Sequence, residues 1–134
     1  MTPKSALVRD YMTGKLVTFH PETDVLDAIQ ELLKHGIAGA PVTNNRGDLV
    51  GMLSELDCMK IALHAGYHGH WGGPVSDYMT TETETVDADM SIIDLAQRFL
   101  DTSFRRFPVV KDHRLVGQIS RRDVLRALAH IANG

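Results

Sequence analysis

A single cysteine, Cys58, stands in this chain of 134 residues. No intrachain disulfide can form, which fits a reducing compartment. Long apolar runs are missing too: none approaches the roughly 20 residues that a membrane-spanning helix needs. The opening Met1-Thr2-Pro3-Lys4-Ser5 lacks the apolar core of a signal peptide. Nor is there an excess of basic charge. Lys plus Arg number 14 against 17 Asp plus Glu, a net charge of −3 with neutral His. That balance leaves no footprint for nonspecific nucleic-acid binding. The expectation is a cytoplasmic chain that engages neither membrane nor nucleic acid.

Catalytic constellations are equally scarce. No Ser/His/Asp spacing stands out, and Gly72-Gly73 lacks the Lys-Ser/Thr of a phosphate loop. No paired general base or activated nucleophile is evident, so no enzyme activity and no catalytic cofactor are expected.

What the chain does contain is one unit written twice. Asp10-Tyr11-Met12-Thr13 returns as Asp77-Tyr78-Met79-Thr80, an offset of 67 (77 − 10). Ala40-Pro41-Val42 returns at the same offset as Phe107-Pro108-Val109. After a one-residue deletion, Gly51-Met52-Leu53-Ser54-Glu55-Leu56-Asp57 returns at an offset of 66 as Gly117-Gln118-Ile119-Ser120-Arg121-Arg122-Asp123. Cys58 then aligns with Val124, so it reads as a core residue rather than a nucleophile. Two copies are too few for an open solenoid. They imply like halves packed about a pseudo-two-fold axis, with two equivalent clefts where the halves meet.

Each copy opens with a short lead, Val8 to Met12 or Val75 to Met79. A β-prone segment follows, Leu16 to Thr18 or Thr83 to Val86. Asp24 and Ser91 can then cap helices whose apolar positions are Val25, Leu26, Ile29, Leu32 and Leu33, or Ile92, Ile93, Ala96, Phe99 and Leu100. Gly36 is a natural stop for the first of these. Strand pairs flank Asn44 to Asp48 and Lys111 to Arg114, with Pro41 and Pro108 expected at strand starts. A last helix starts at Ser54 or Ser120. Its apolar face is expected at Met59, Ala62 and Leu63, or at Leu125, Leu128 and Ile131. The order is β-α-β-β-α per repeat, an α+β fold. The boundaries read as 1–62 for the first repeat with its lead, 63–74 for a His/Gly-rich connecting segment, and 75–134 for the second repeat. The connecting segment is expected to be a loop or a frayed helix end.

The phrase Gly-x-x-Ser-x-x-Asp, at Gly51/Ser54/Asp57 and Gly117/Ser120/Asp123, runs from a strand end into a helix N-terminus. Unpaired amides and the helix dipole favour an anion there. A serine hydroxyl can donate to a phosphate, and a carboxylate one turn on can accept from a ribose diol. The same Ser-x-x-Asp spacing is also an N-cap pair that satisfies helix-end amides.

In order and duplication these segments resemble a tandem pair of CBS domains, named after cystathionine β-synthase and often called a Bateman module. The resemblance covers about residues 8–60 and 75–128. It implies a regulatory module that binds an adenosine-containing ligand (AMP, ADP, ATP or S-adenosylmethionine) in clefts between repeats. It also implies a homodimer and an effector protein that receives the signal. The resemblance assigns one cleft to Thr18, Ile37, Ala38, Gly39 and Ala40 with Ser120 and Asp123, and Arg121 adds positive charge beside that helix start. The other takes Ser54 and Asp57 with Thr85, Phe104, Arg105, Arg106 and Phe107. The first has small walls and is the favoured one; Phe104 and Phe107 could fill the second. Two other readings stand beside the sensor. One is a ligand-independent dimerisation or scaffold module. The other is a metal-responsive protein using His64, His68 and His70, the first two at helical i, i+4 spacing.

Overall fold

The computed structural model describes residues 6–69 and 71–134, except the side chains of residues 66–68. In chain order the elements are α1 (Val8–Tyr11), α2 (Val25–His35), β1 (Gly39–Thr43), β2 (Leu49–Ser54) and α3 (Glu55–His68). A 3₁₀ turn at Val75–Asp77 follows, then β3 (Val86–Asp87), α4 (Ile92–Leu100), β4 (Arg106–Lys111), β5 (Arg114–Ser120) and α5 (Arg121–Asn133). They form two units. One is the continuous stretch Val17–Thr83; the other joins Met1–Leu16 to Glu84–Gly134.

Local chemistry sets the element ends. Asp24 Oδ1 accepts from the Leu26 amide at 2.8 Å, and Ser91 Oγ accepts from the Asp94 amide at 3.1 Å. Both are N-caps that satisfy an amide the helix leaves open. Gly36 closes α2 in the left-handed region, with φ of 62°. β1 and β2 pair antiparallel, as do β4 and β5. Each pair carries a register shift at the same place, after Val42 and after Val109. The second hairpin turns on Asp112 and His113, both with positive φ (51° and 70°). That is the type I′ geometry whose twist matches the flanking strands.

The β-prone segment differs between the copies. Val86 and Asp87 form a short strand parallel to β4. In the first copy only Phe19 bridges, in parallel with Val42. Pro41 and Pro108 stand third in β1 and β4 rather than at their starts. Pro41 is tolerated because only its carbonyl is used on that side. It accepts from the Phe19 amide, and Phe19 O accepts from the Thr43 amide.

Each unit has its own core. Phe19, Val25, Ala28, Leu32, Ala40, Val42, Leu53, Cys58, Ile61, Val75 and Tyr78 form one. Val8, Val86, Ala88, Ile92, Leu95, Phe99, Phe107, Val109, Ile119, Val124 and Ala127 form the other. Cys58 and Val124 are both buried, as their alignment requires. The buried helix faces match the expected ones only in part: Val25, Leu32, Ile92 and Phe99 are buried as expected. α2 buries Val25, Ala28 and Leu32, whereas Leu33 is 76% exposed. α4 buries Ile92, Leu95 and Phe99, whereas Ile93 and Leu100 are exposed. α3 buries Cys58, Ile61 and Ala65 and exposes Leu56, Met59 and Leu63. α5 buries Val124 and Ala127 and exposes Leu125. Apolar residues also flank the covered stripe on each helix.

The two leads are exchanged. The lead at Val8, expected with the first repeat, packs on the second. Val8 N donates to Met90 O at 2.9 Å, Arg9 N to Ala88 O at 3.0 Å, and Thr13 pairs in both directions with Gln118. The lead at Val75 packs on the first repeat, where Val75 N donates to Thr23 O at 2.8 Å and Thr80 pairs with Met52. Val8 and Val75 are wholly buried. This explains the glycine in each repeated phrase. A Cβ on Gly117 would stand 2.6 Å from Met12 Sδ and 2.9 Å from Thr13 O. One on Gly51 would stand 2.8 Å from Met79 Sδ and 3.0 Å from Thr80 O. The boundary at 62/63 is not a structural one either. α3 continues through Gly66 to His68, and Gly69 caps it in the left-handed region.

Candidate functional site

Ser54 and Ser120 end their strands and cap the helices that follow. Ser54 Oγ accepts from the Asp57 amide at 3.1 Å, while Asp57 Oδ2 accepts from the Ser54 amide at 2.9 Å. Ser120 and Asp123 repeat this at 3.2 and 2.8 Å. Each pair is a reciprocal capping box. Both serine hydroxyls also donate to their own aspartate at 3.0 Å. The helix starts are therefore better satisfied than the sequence suggests. The Glu55 amide donates to Ala38 O and the Arg121 amide to Arg105 O. Of the first three amides in each helix, two are already paired.

Each carboxylate also holds a cation three residues on. Asp57 Oδ1 accepts from Lys60 Nζ at 2.9 Å, and Asp123 Oδ1 from an Arg126 Nη at 2.6 Å. Asp57 alone gains a fourth group, Thr80 Oγ1, at 3.1 Å. Burial raises the Asp57 carboxyl, but the Ser54 amide, Lys60 and the two hydroxyls outweigh it and hold it below the ordinary carboxylate value. For Asp123, burial again raises, and Arg126 with the Ser120 amide and hydroxyl brings the net shift below the ordinary value. Next to Asp57, burial first and then the Asp57 and Glu55 charges push the Cys58 thiol up, so it is a poor nucleophile.

The remaining expected residues fall into place unit by unit. Thr18 is exposed beside buried Phe19, and Ile37 is half-buried. Ala38 is exposed, its carbonyl taken by Glu55, and Ala40 is in the core. At Gly39 an added Cβ would stand 3.0 Å from Leu53 O, so close β1–β2 packing keeps that position small. In the other unit Thr85 is half-buried, and Arg105 and Arg106 are exposed. Arg106 stands opposite Ser120 in the β4–β5 register. Arg121 Nε donates to Phe104 O at 2.9 Å. Phe107 is wholly buried, its ring 4.8 Å from Phe99 and 5.4 Å from Phe104. Its side chain belongs to the core, leaving only its backbone to meet a ligand.

Lys60, Arg126 and Thr80 escaped the sequence reading. Lys60 and Arg126 are equivalent at the 66-residue offset and lie i+3 from the aspartates, a same-face spacing. That signal was legible. Thr80 closes the repeated Asp-Tyr-Met-Thr lead, but its partner depends on lead exchange. Of the three histidines, His64 packs edge-on against Tyr78 at 5.9 Å. His70 and the side chain of His68 lie outside the described residues. Among the described residues no cluster of three His, Cys, Asp or Glu could hold a metal ion.

The chain matches the CBS domain family over residues 8–64 and again over 75–130. It belongs to that family, as a tandem pair. A Methanocaldococcus jannaschii protein, MJ1225, is 28% identical over 121 residues, covering 90% of this chain and 42% of its own length. The chain thus spans less than half of that relative. The crystal structure of Arabidopsis thaliana CBSX2 in complex with AMP is 33% identical, with a TM-score of 0.80, covering 95% of this chain and 98% of that one. The CBS pair of MJ0100, in complex with 5-methylthioadenosine and S-adenosylmethionine, is 25% identical with a TM-score of 0.71. It covers 95% of this chain and 98% of that one. No helix among the described residues is long and apolar enough to cross a membrane.

Proposed function

We propose that this chain is a regulatory module that binds an adenosine-containing ligand and conveys that state to a partner. The observation that carries the reading is the likeness to CBSX2 in complex with AMP across nearly the whole chain. The ligands of CBSX2 and MJ0100 share a purine and a ribose and differ at the 5′ position. A carboxylate held ionised beside a serine suits the ribose diol. Arg121 and Arg122, next to Ser120, favour a 5′ phosphate over a sulfonium cation. The ligand is therefore a nucleotide such as AMP, ADP or ATP. Ser120, Arg121 and Asp123 are its anchor. Signalling follows from differential affinity: the nucleotide stabilises whichever arrangement of the protein it binds better.

The partner surface includes a second copy of the chain. Exposed apolar residues recur at equivalent places in both repeats: Leu26 with Ile93, Leu33 with Leu100, and Met59 with Leu125. Apolar positions left uncovered at equivalent places mark an interaction surface on each unit rather than scattered surface residues. Leu33→Glu with Met59→Glu yields a monomer by light scattering while leaving the circular dichroism unchanged.

A thermal-shift panel of AMP, ADP, ATP, S-adenosylmethionine and NAD tests the sensor. A ligand at 100 times its Kd adds about 2.7 kcal/mol of stability. No shift with any of the five favours the scaffold reading instead. A shift with zinc, lost in His64→Ala, favours the metal-responsive one.

A further inference from the structure

The two aspartates of the repeated phrase are not equivalent. An ionised carboxylate offers about four acceptor positions on its two oxygens. Asp57 receives four donors: the Ser54 amide and hydroxyl on Oδ2, Lys60 on Oδ1, and the single Thr80 O–H, 3.1 Å from Oδ1 and 3.4 Å from Oδ2. Lys60 is itself anchored, since its Nζ also donates to Tyr78 O at 3.3 Å. Asp123 receives three: the Ser120 amide and hydroxyl on Oδ2, and Arg126 alone on Oδ1. Thr13, the repeat counterpart of Thr80, makes no bond to Asp123 among the described contacts. The side chains are 8% and 13% exposed, and Arg126, at 60%, is the more exposed cation.

A ribose diol brings two O–H donors that need open acceptor positions. Asp123 has one on Oδ1 and can gain another if the exposed arginine swings out to solvent. Asp57 has no open position, because the Thr80 O–H takes the fourth and Lys60 is tethered to Tyr78 O as well. To accept a diol, Asp57 would have to turn the Thr80 hydroxyl away and draw Lys60 off both of its partners.

We infer that Asp57 is a structural strut, closed by Thr80 and tying α3 to its exchanged lead, and that Asp123 is the only ligand acid, so each chain takes one adenosine nucleotide. This rests on the nucleotide-sensor reading above and adds its stoichiometry. Isothermal titration of the full chain with AMP tests it, with native mass spectrometry as a count. The expected result is one AMP per chain. Asp123→Asn lowers affinity at least 100-fold and lowers Tm less than Asp57→Asn does. Asp57→Asn lowers Tm by several degrees and keeps one site within about threefold of the wild-type Kd. Two AMP per wild-type chain overturns the inference and leaves the sensor reading intact, and this count needs no variant to fold. One AMP per chain whose binding Asp57→Asn abolishes and Asp123→Asn spares overturns it as well. If neither AMP nor any other nucleotide binds, the sensor reading falls and this inference falls with it.

Discussion

Gly51 and Gly117 show how much one hydrogen atom can decide. Each is where a lead crosses a strand, and the nearest atom is a methionine sulfur with a backbone carbonyl behind it. A sulfur can rotate aside; the carbonyl cannot. Gly51→Ala and Gly117→Ala should each destabilise the fold by about 1–3 kcal/mol through overpacking, measured as a lower urea midpoint with no ligand present. Asp57 and Asp123 carry the acid sensitivity. Their folded values lie below the ordinary carboxylate range. The stability they contribute is therefore complete above the unfolded value of about 4 and is lost as pH falls through the lower folded value. Urea unfolding followed from pH 7 to pH 3 should show a steep loss below about pH 4 that Asp57→Asn flattens. The sequence made these residues visible but left their role open. Ser-x-x-Asp serves a helix cap and a ligand alike, and both copies do form the cap.

At the scale of elements, caps and turns were the most legible features, because their chemistry is local. Asp24, Ser91 and Gly36 act within a few residues of themselves. The hairpin at Asp112-His113 is likewise set by neighbours, and it keeps two non-glycine residues in the left-handed region. His113→Gly should stabilise the chain by about 0.5–1 kcal/mol by removing the Cβ crowding that disfavours that region, read as a raised Tm. Helix faces were less legible. In α3, Leu56, Met59 and Leu63 follow helical spacing as well as Cys58, Ile61 and Ala65 do. Periodicity says which residues are apolar, and only packing says which of two stripes is covered.

For the whole molecule, the duplication was plain in the sequence, and with it the α+β repeat and the family. The exchange of leads was not. A four-residue phrase repeated at a fixed offset is silent about which copy it docks on, since both copies offer the same receiving edge. The exchange makes a clear forecast about fragments. Residues 17–83 hold Phe19, Val25, Leu53, Val75 and Tyr78 in one continuous stretch. Expressed alone, that stretch should unfold cooperatively in urea. A fragment of residues 1–74, longer but ended before Val75, should not, because two buried side chains and the Met52–Thr80 pairing are gone.

The same exchange bears on how the chain is born. Val17–Thr83 can settle as soon as it clears the ribosome, while the earlier-made stretch around Val8 waits for strands and a helix more than 70 residues downstream. At ordinary translation speeds that wait lasts roughly ten seconds. During it an apolar valine and Tyr11 stay open to chaperones or to a neighbouring nascent chain.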